Sequence, residues 1–130
     1  MYKKLYYWLP PLIWMGVIFY VSSRPRISIT ENSLYAFLIF KTLHLIEYAL
    51  LYFLLFRALY SLKGKNFTLG HKFLLAFIVS ALYGLSDEIH QAFVPTREGR
   101  LRDVFIDSGG ALLMYIYIKG SLTKLKKTIL

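Results

Sequence analysis

Apolar residues gather into four runs along the chain, and polar residues gather between them. The runs cover about residues 5–21, 43–60, 73–93 and 104–118, and their lengths approach the roughly 20 residues that an α-helix needs to cross a bilayer. We therefore predict an all-α fold, an integral membrane four-helix bundle that forms a single domain over residues 1–130.

The first two runs have features that bear on their helix ends. Pro10 and Pro11 interrupt the first run, and we expect its helix to be entered through them, because proline is well tolerated in a first helical turn. The helical pattern of the second run begins well before residue 43, so this helix is longer than the hydrocarbon core. We expect it either to project from the membrane or to break near Lys41.

The third and fourth runs carry clearer boundary signals. Pro95 is expected to end the third helix, and Asp103 can cap the fourth. Gly109, Gly110 and Ala111 follow in the fourth run, and small residues of this kind let membrane helices approach closely.

Composition supports a membrane location. Hydrophobic residues make up 57% of the chain, more than a soluble domain of this size could hide. The net charge of +9 would suggest nucleic acid in a soluble protein. Here the basic residues stand at the ends of apolar runs, where helix orientation and anionic lipid explain them better. We expect membrane lipid as a partner and no nucleic acid.

The absence of cysteine excludes disulfides and thiolate sites.

Charge also predicts the orientation. With four spans both termini lie on one side, which carries more basic residues than the other, so the positive-inside rule places both termini in the cytoplasm. The inner bases are Lys3, Lys4, Lys63, Lys65, Lys72, Lys119, Lys124, Lys126 and Lys127, and the outer ones are Arg24, Arg26, Lys41, Arg97, Arg100 and Arg102. All the acids fall on the outward side, namely Glu31, Glu47, Asp87, Glu88, Glu98, Asp103 and Asp107. This asymmetry indicates a polar site that opens outward.

One polar face lies on the second helix. Lys41, His44, Glu47 and Tyr48 are three, three and one residues apart, so they share one side of the helix. Glu47 lies inside the apolar run and needs a partner within the bundle, because a carboxylate facing lipid is costly. This face therefore predicts contact with polar groups of other helices.

Two further polar faces lie at a similar depth. The third helix ends in a stretch that is far more polar than a helix end requires, and Asp103 with Asp107 forms a polar face on the fourth. The simplest packing points the three faces at one another, with Arg97 or Lys41 pairing with acids and carboxylates pairing with histidines. The candidates in this stretch are Asp87, Glu88, His90, Gln91, Arg97, Arg100, Arg102 and Asp103, with Glu88 ranked below Asp87 and His90.

The order of these residues resembles that of a known family. The motifs are Lys41-x-x-His44-x-x-Glu47-Tyr48, Ser86-Asp87-Glu88-Ile89-His90-Gln91, Pro95-x-Arg97 and Asp103, with Ser22-Ser23-x-Pro25 in the first loop. Together they resemble the VanZ-like family over about residues 10–118. Asp107 is a departure, because the resemblance leads us to expect Asn there, and an ionised Asp107 would add negative charge to the pocket.

The resemblance implies a multi-pass protein of the bacterial plasma membrane. The founding member of that family is linked to low-level resistance to the glycopeptide teicoplanin. Such antibiotics act outside the membrane on lipid-linked cell-wall precursors, which suits an outward pocket. The resemblance implies no settled reaction, so the function has to be argued from the residues.

The first hypothesis is a binding or envelope-modulating protein. Its outer pocket would hold a lipid headgroup, a lipid-linked cell-wall precursor, a peptide or a glycopeptide, with basic side chains pairing with phosphate or carboxylate. The ligand-binding candidates are Arg24, Lys41, Tyr48, Glu88, Gln91, Arg97 and Asp107.

The second hypothesis is a hydrolase or transferase acting at the outer leaflet. Histidine and carboxylate side chains can perform general acid–base chemistry, with Glu47 or Asp87 orienting His44 or His90. The catalytic candidates are His44, Glu47, Asp87, His90 and Asp103. A metal-dependent version would bind a divalent cation through His44, Glu47, Asp87 or His90, with Asp103 as a further ligand, although the spacing matches no known zinc motif.

A third hypothesis assigns no ligand. In it the polar groups are buried pairs that fix the register of the helices. No sequence feature decides the oligomeric state.

Overall fold

The computed structural model describes residues 2–25, 33–64 and 67–128, with side chains from residue 5 onward and, after the first gap, from residue 34 onward. Three residues that entered the predicted topology lie outside the described residues, namely Arg26, Glu31 and Lys65.

Within these ranges the chain forms four α-helices and no strand, as the apolar runs predict. The helices are α1 (Tyr2–Ser22), α2 (Ser33–Tyr60), α3 (Leu69–Gln91) and α4 (Leu101–Thr128). The predicted all-α, four-helix architecture is confirmed for the described part of the chain.

Three of the helices are long and apolar enough to cross a membrane. The candidate spans are Leu5–Ser22, Leu34–Tyr60 and Leu69–Gln91. Although α4 has 28 residues, about 42 Å of helix at 1.5 Å per residue, it is not among them. Its polar residues and glycines lower its hydropathy, so a membrane crossing by residues 104–118 stays a prediction, as does the orientation of the termini.

The proline pair lies inside α1, which begins at Tyr2, so the prediction that the prolines start this helix is wrong. Each proline removes one backbone N–H, and helices in membranes tolerate this loss where neighbouring groups or local adjustments satisfy the carbonyls. The guanidinium of Arg57 lies 4.7 Å from the ring centre of Tyr6. This cation–π contact holds the N-terminal part of α1 to α2.

The α2 helix continues through Lys41 without a break, so of the two forms expected for it the continuous one is present. Two other helix ends differ from the predictions. The α3 helix ends at Gln91, before Pro95. Because α4 begins at Leu101, Asp103 lies in its first turn and does not cap it. The carboxylate of Asp103 is used in another way, since it lies 2.5 Å from the Lys41 ammonium.

The α2 helix lies at the centre of the bundle and contacts the three others, most extensively α4. Tyr48, Tyr52 and Phe56 are among its fully buried side chains. The ring of Phe56 stacks on that of Phe73 with 4.5 Å between the ring centres, and the Tyr52 hydroxyl donates to the Phe73 carbonyl at 3.2 Å. Aromatic packing therefore joins α2 to α3 in the middle of the bundle.

The α1 helix is the most peripheral of the four. It contacts α2 and α3, and hydrogen bonds to backbone carbonyls fix it to each. The Trp14 indole donates to the Glu47 carbonyl at 3.0 Å, and the Tyr83 hydroxyl donates to the Met15 carbonyl at 2.6 Å. These two hydrogen bonds therefore fix α1 against both α2 and α3.

Small residues allow α4 to lie close to its neighbours. A Cβ atom on Gly110 would overlap the backbone oxygen of Leu45 on α2, whereas a Cβ on Gly109 would meet nothing within 4 Å. Ala111 is buried. Of the three small residues predicted to mediate close contact, Gly110 and Ala111 lie in the buried interface and Gly109 does not.

We expect Gly110→Ala to lower the thermal unfolding temperature of the purified protein in detergent. The added methyl group would push α4 away from the Leu45 carbonyl, and overpacking of this kind typically costs about 1–3 kcal/mol.

Gly109→Ala is the matched control. It makes the same change at the adjacent residue and should be neutral or stabilising, because alanine is favoured over glycine in helices by about 1 kcal/mol. Equal unfolding temperatures for the two variants would contradict the close packing of α4 on α2.

Candidate functional site

Polar side chains meet at one end of the bundle, which we call the polar end. It consists of the C-terminal ends of α1 and α3, the first half of α2, the α3–α4 loop and the start of α4. Buried polar residues there are Ser22, Asp87, Glu88, Gln91, Asp103 and Asp107. Such groups are costly to bury unless they have partners, so their contacts decide what the polar end can do.

Two pairs of potentially opposite charge join α2 to α4. Lys41 Nζ lies 2.5 Å from Asp103 Oδ2, and one turn deeper His44 Nδ1 lies 3.3 Å from Asp107 Oδ1. The spacing of three residues on α2 and four on α4 keeps both pairs on facing sides of the two helices. These pairs fix how α4 is rotated against α2.

The α3–α4 loop carries Arg97 back to the end of α1. The chain turns at Thr96, whose φ of 66° lies in the left-handed region. Arg97 then donates through Nε to the Arg24 carbonyl at 2.7 Å, through Nη2 to the Val21 carbonyl at 3.0 Å and through Nη1 to Gln91 Oε1 at 3.3 Å. One guanidinium thus connects the loop, α3 and α1.

Asp87 and Glu88 are adjacent on α3 but have different partners. Asp87 Oδ2 accepts a hydrogen bond from Gln91 Nε2 at 2.7 Å. Glu88 Oε2 accepts from the backbone N–H of Arg100 at 2.9 Å. The loop can approach this closely because residue 99 is glycine, since a Cβ there would overlap the Glu88 carbonyl oxygen.

A cavity of about 80 Å³ lies among α1, α2, α3 and the loop. This volume is that of about two or three water molecules at about 30 Å³ each. The polar part of its lining is Ser22, His44, Glu47, Asp87 and Arg97, and the apolar part is Ile18, Val21, Phe40 and Leu43.

A second group of polar atoms lies among α2, α3 and α4. His44, Glu88 and Asp107 each place one nitrogen or carboxylate oxygen within 4.8 Å of the others. These atom types are ligands for divalent cations. His44 belongs both to this group and to the lining of the cavity.

The family assignment follows from comparison of the whole chain. The VanZ/LLP1 family model matches residues 7–124, a range that includes every residue of the polar end. The chain belongs to the VanZ/LLP1 family. This confirms the resemblance drawn from the short motifs. No curated protein and no solved structure matches the chain.

In this VanZ/LLP1 protein, three of the five candidate catalytic residues line one cavity, namely His44, Glu47 and Asp87. Asp103 instead forms an ion pair with Lys41. The carboxylate next to His44 is Asp107, not Glu47 or Asp87, the orienting residues expected from the sequence. Asp107 is also the position that departs from the expected asparagine, and it is fully buried.

His90 does not join the other candidates. Its Nε2 lies 3.0 Å from the Ser23 hydroxyl, and its ring centre lies 4.5 Å from that of Phe19. The side of α3 that carries His90 is covered by α1, so the expected carboxylate partner is replaced by a hydroxyl. His90 is not part of the group of three residues suited to a metal.

The candidate ligand-binding residues occupy different positions. Arg97 lines the cavity and is held by Gln91. Tyr48 is fully buried in the core. The guanidinium of Arg24 lies 4.7 Å from the ring centre of Tyr20 on the exposed surface, and it is the Arg24 backbone carbonyl that contacts Arg97. Of the two candidate arginines, Arg97 is therefore the one that lines the cavity.

Glu88, which the sequence ranked below Asp87 and His90, lies among the buried polar residues. Its side chain is buried and grouped with His44 and Asp107. Gly84 lies four residues earlier, on the same side of α3, and a Cβ there would meet Asp107 at 3.3 Å. A glycine and a glutamate four residues apart share one helical face, and this spacing is the sequence feature that indicates Glu88 faces α4.

We expect Lys41→Ala to destabilise the protein by about 3 kcal/mol, because it removes the nearer and more buried counter-charge of Asp103. The double variant Lys41→Met/Asp103→Leu removes both charged groups and should recover much of this loss. Thermal unfolding in detergent measures both effects.

Arg102→Ala serves as the control. The Arg102 Nε lies 3.6 Å from Asp103 Oδ1, but the arginine side chain is 55% exposed, so this pair should contribute less than about 1 kcal/mol. A Lys41→Ala variant as stable as the Arg102→Ala variant would show that the inner pair does not hold α2 to α4.

Proposed function

We propose that this VanZ/LLP1 protein is a multi-pass protein of the bacterial plasma membrane that binds the polar part of a lipid-linked cell-envelope molecule. The observation that carries the proposal is the mixed lining of the cavity at the polar end. This lining combines the polar side chains of His44, Glu47, Asp87 and Arg97 with the apolar side chains of Ile18, Val21, Phe40 and Leu43. An amphiphilic ligand has matching polar and apolar parts.

The charged side chains favour a headgroup with mixed hydrogen-bonding character. Arg97 lines the cavity, and a guanidinium is well suited to phosphate. Glu47 and Asp87 repel anions but accept hydrogen bonds from hydroxyl groups. A phosphorylated sugar, as in a lipid-linked cell-wall precursor, offers anionic oxygens and hydroxyl donors together.

The size of the cavity limits how such a ligand is held. About 80 Å³ admits one small polar group and not a whole headgroup. The apolar lining comes from α1 and the start of α2, and α1 is the most peripheral helix. We propose that the acyl or prenyl part of the ligand lies along α1 and α2 while one polar group enters the cavity.

The location of the ligand follows from the predicted orientation. The basic residues favour cytoplasmic termini, which places the polar end at the outer leaflet. Lipid-linked cell-wall precursors are exposed there, and so are the glycopeptides that bind them. We extend the proposal to teicoplanin susceptibility, because a protein that occupies such a precursor would change its access to the antibiotic.

A second candidate is an enzyme that hydrolyses or transfers a group of the same ligand. The observation in its favour is that a histidine, two carboxylates and an arginine line one cavity. His44 could move a proton while Arg97 stabilises the developing charge on a phosphate.

We expect the purified wild-type protein to carry a phosphorylated lipid that native mass spectrometry detects. Arg97→Ala should reduce the lipid-bound fraction at least about tenfold, which corresponds to about 1.4 kcal/mol. The mass of the bound lipid separates the two candidate functions, since an intact precursor favours binding alone and a shortened product favours the enzyme.

Arg100→Ala is the matched control for this measurement. It removes the same charge from the same loop, but the Arg100 side chain is 52% exposed and pairs with Glu98, outside the cavity lining. The proposal fails if the wild-type protein binds no phosphorylated lipid, or if both variants lose it equally.

The predicted orientation can be tested because the chain has no cysteine, so any introduced thiol is unique. Cysteines at the exposed positions Thr96 and Gly64 should react with a membrane-impermeant maleimide from opposite sides of intact cells, Thr96→Cys from outside. Labelling of Gly64→Cys from outside would invert the topology and place the polar end in the cytoplasm.

A further inference from the structure

Three buried side chains converge at the polar end on the side of α4. His44 from α2, Glu88 from α3 and Asp107 from α4 each present one ligand-type atom, and these atoms lie within 4.8 Å of one another. Glu88 is 4% exposed and Asp107 fully buried. Three separate helices thus direct a nitrogen and two oxygens towards one point.

The hydrogen bonding of these residues is incomplete. Within the described part of the chain, Asp107 Oδ2 and Glu88 Oε1 are buried without a hydrogen-bond partner, and Asp107 Oδ1 faces His44 Nδ1 at 3.3 Å. The remaining Glu88 oxygen accepts the backbone N–H of Arg100. Buried carboxylate oxygens are costly to leave unsatisfied. A positively charged partner would therefore stabilise the carboxylates of Glu88 and Asp107.

The lysine on α2 is paired with a different carboxylate. Lys41 lies one turn away on α2, and its ammonium is 2.5 Å from Asp103. His44 Nδ1 lies 3.3 Å from Asp107 Oδ1, so the imidazole can serve one oxygen of that carboxylate. It cannot also serve Asp107 Oδ2 and Glu88 Oε1, and both of these oxygens are buried without a partner.

The distance fits two ligands of one metal ion. Ligands at about 2.0–2.1 Å from a tetrahedral zinc lie about 3.3 Å from each other, and the His44–Asp107 separation is 3.3 Å. The charge also fits, since two carboxylates and a neutral imidazole neutralise a divalent cation. Movement of the Glu88 side chain towards the other two would complete a site with three protein ligands.

We propose that His44, Glu88 and Asp107 bind one divalent first-row metal ion, such as Zn²⁺ or Mn²⁺, through one nitrogen and two carboxylates. Three protein ligands leave a coordination position for water or an incoming group. The site differs from the metal ligands expected from the sequence, because Glu88 and Asp107 replace Glu47, Asp87 and His90. It does not depend on the lipid proposed above, although His44 lies next to both sites.

The test is metal binding by the purified full-length protein in detergent, after treatment with a chelator. Zn²⁺ alone is added, excess ion is removed, and elemental analysis gives the stoichiometry, while titration calorimetry gives the affinity. We expect one Zn²⁺ per chain. Glu88→Gln and Asp107→Asn should each weaken Zn²⁺ binding by at least about 100-fold. Changing a group that only hydrogen-bonds to a metal ligand already costs about 10–100-fold in affinity, and changing the ligand itself should cost no less.

Two control variants separate this site from non-specific binding. His90→Gln removes a histidine at the same end of the bundle, and Asp87→Asn neutralises a buried carboxylate on the same helix as Glu88. Both should bind Zn²⁺ like the wild-type protein. Equal loss in Asp87→Asn and Asp107→Asn would overturn the assignment of ligands.

If the variants do not fold, X-ray absorption at the zinc edge can still identify the atoms that coordinate zinc in the wild-type protein. One nitrogen and two carboxylate oxygens from the protein, with no sulfur, would support the site. A folded wild-type protein that binds no stoichiometric Zn²⁺ or Mn²⁺ would overturn the proposal. That result would leave the lipid assay unaffected, because it depends on Arg97.

Discussion

The structure depends on the pairing of ionisable groups between α2 and α4. Lys41 with Asp103 and His44 with Asp107 lie at successive turns of these helices, in a bundle with three helices suited to cross lipid. In such surroundings ionisable groups are stable only against one another or water. The pairs require a short distance between the helices, and Gly110 provides it by leaving room for the Leu45 carbonyl. Close packing and charge pairing therefore support each other.

This constraint divides the polar end into two parts that share one residue. On the side of α1, a small cavity combines charged and apolar lining. On the side of α4, buried oxygens converge without enough donors. His44 belongs to both parts, so the two proposed sites share one side chain.

The sequence predicted the helices well because long apolar runs are a strong signal. It predicted the partners less well, and the reason is physical. In a membrane, side chains that face lipid are as apolar as those that face the core, so the pattern does not show how each helix is rotated. The spacing of Lys41 and His44 predicted that they share one face of α2. It did not predict that this face contacts Asp103 and Asp107 on α4. For the same reason His90, expected to face a carboxylate, packs against α1.

The most direct test of this account is the distance between His44 and Asp107 in a lipid bilayer. Replacing His71 and His90 with Gln leaves His44 as the one histidine, so solid-state NMR can measure the separation of its ¹⁵Nδ1 from aspartate ¹³Cγ atoms. A 3.3 Å contact between Nδ1 and Oδ1, plus one C–O bond of about 1.25 Å, places Cγ within about 4.6 Å. The account predicts such a coupling and its loss in Asp107→Ala. A missing coupling, or one that Asp107→Ala leaves unchanged, would contradict the packing of α4 on α2 and the metal site proposed between them.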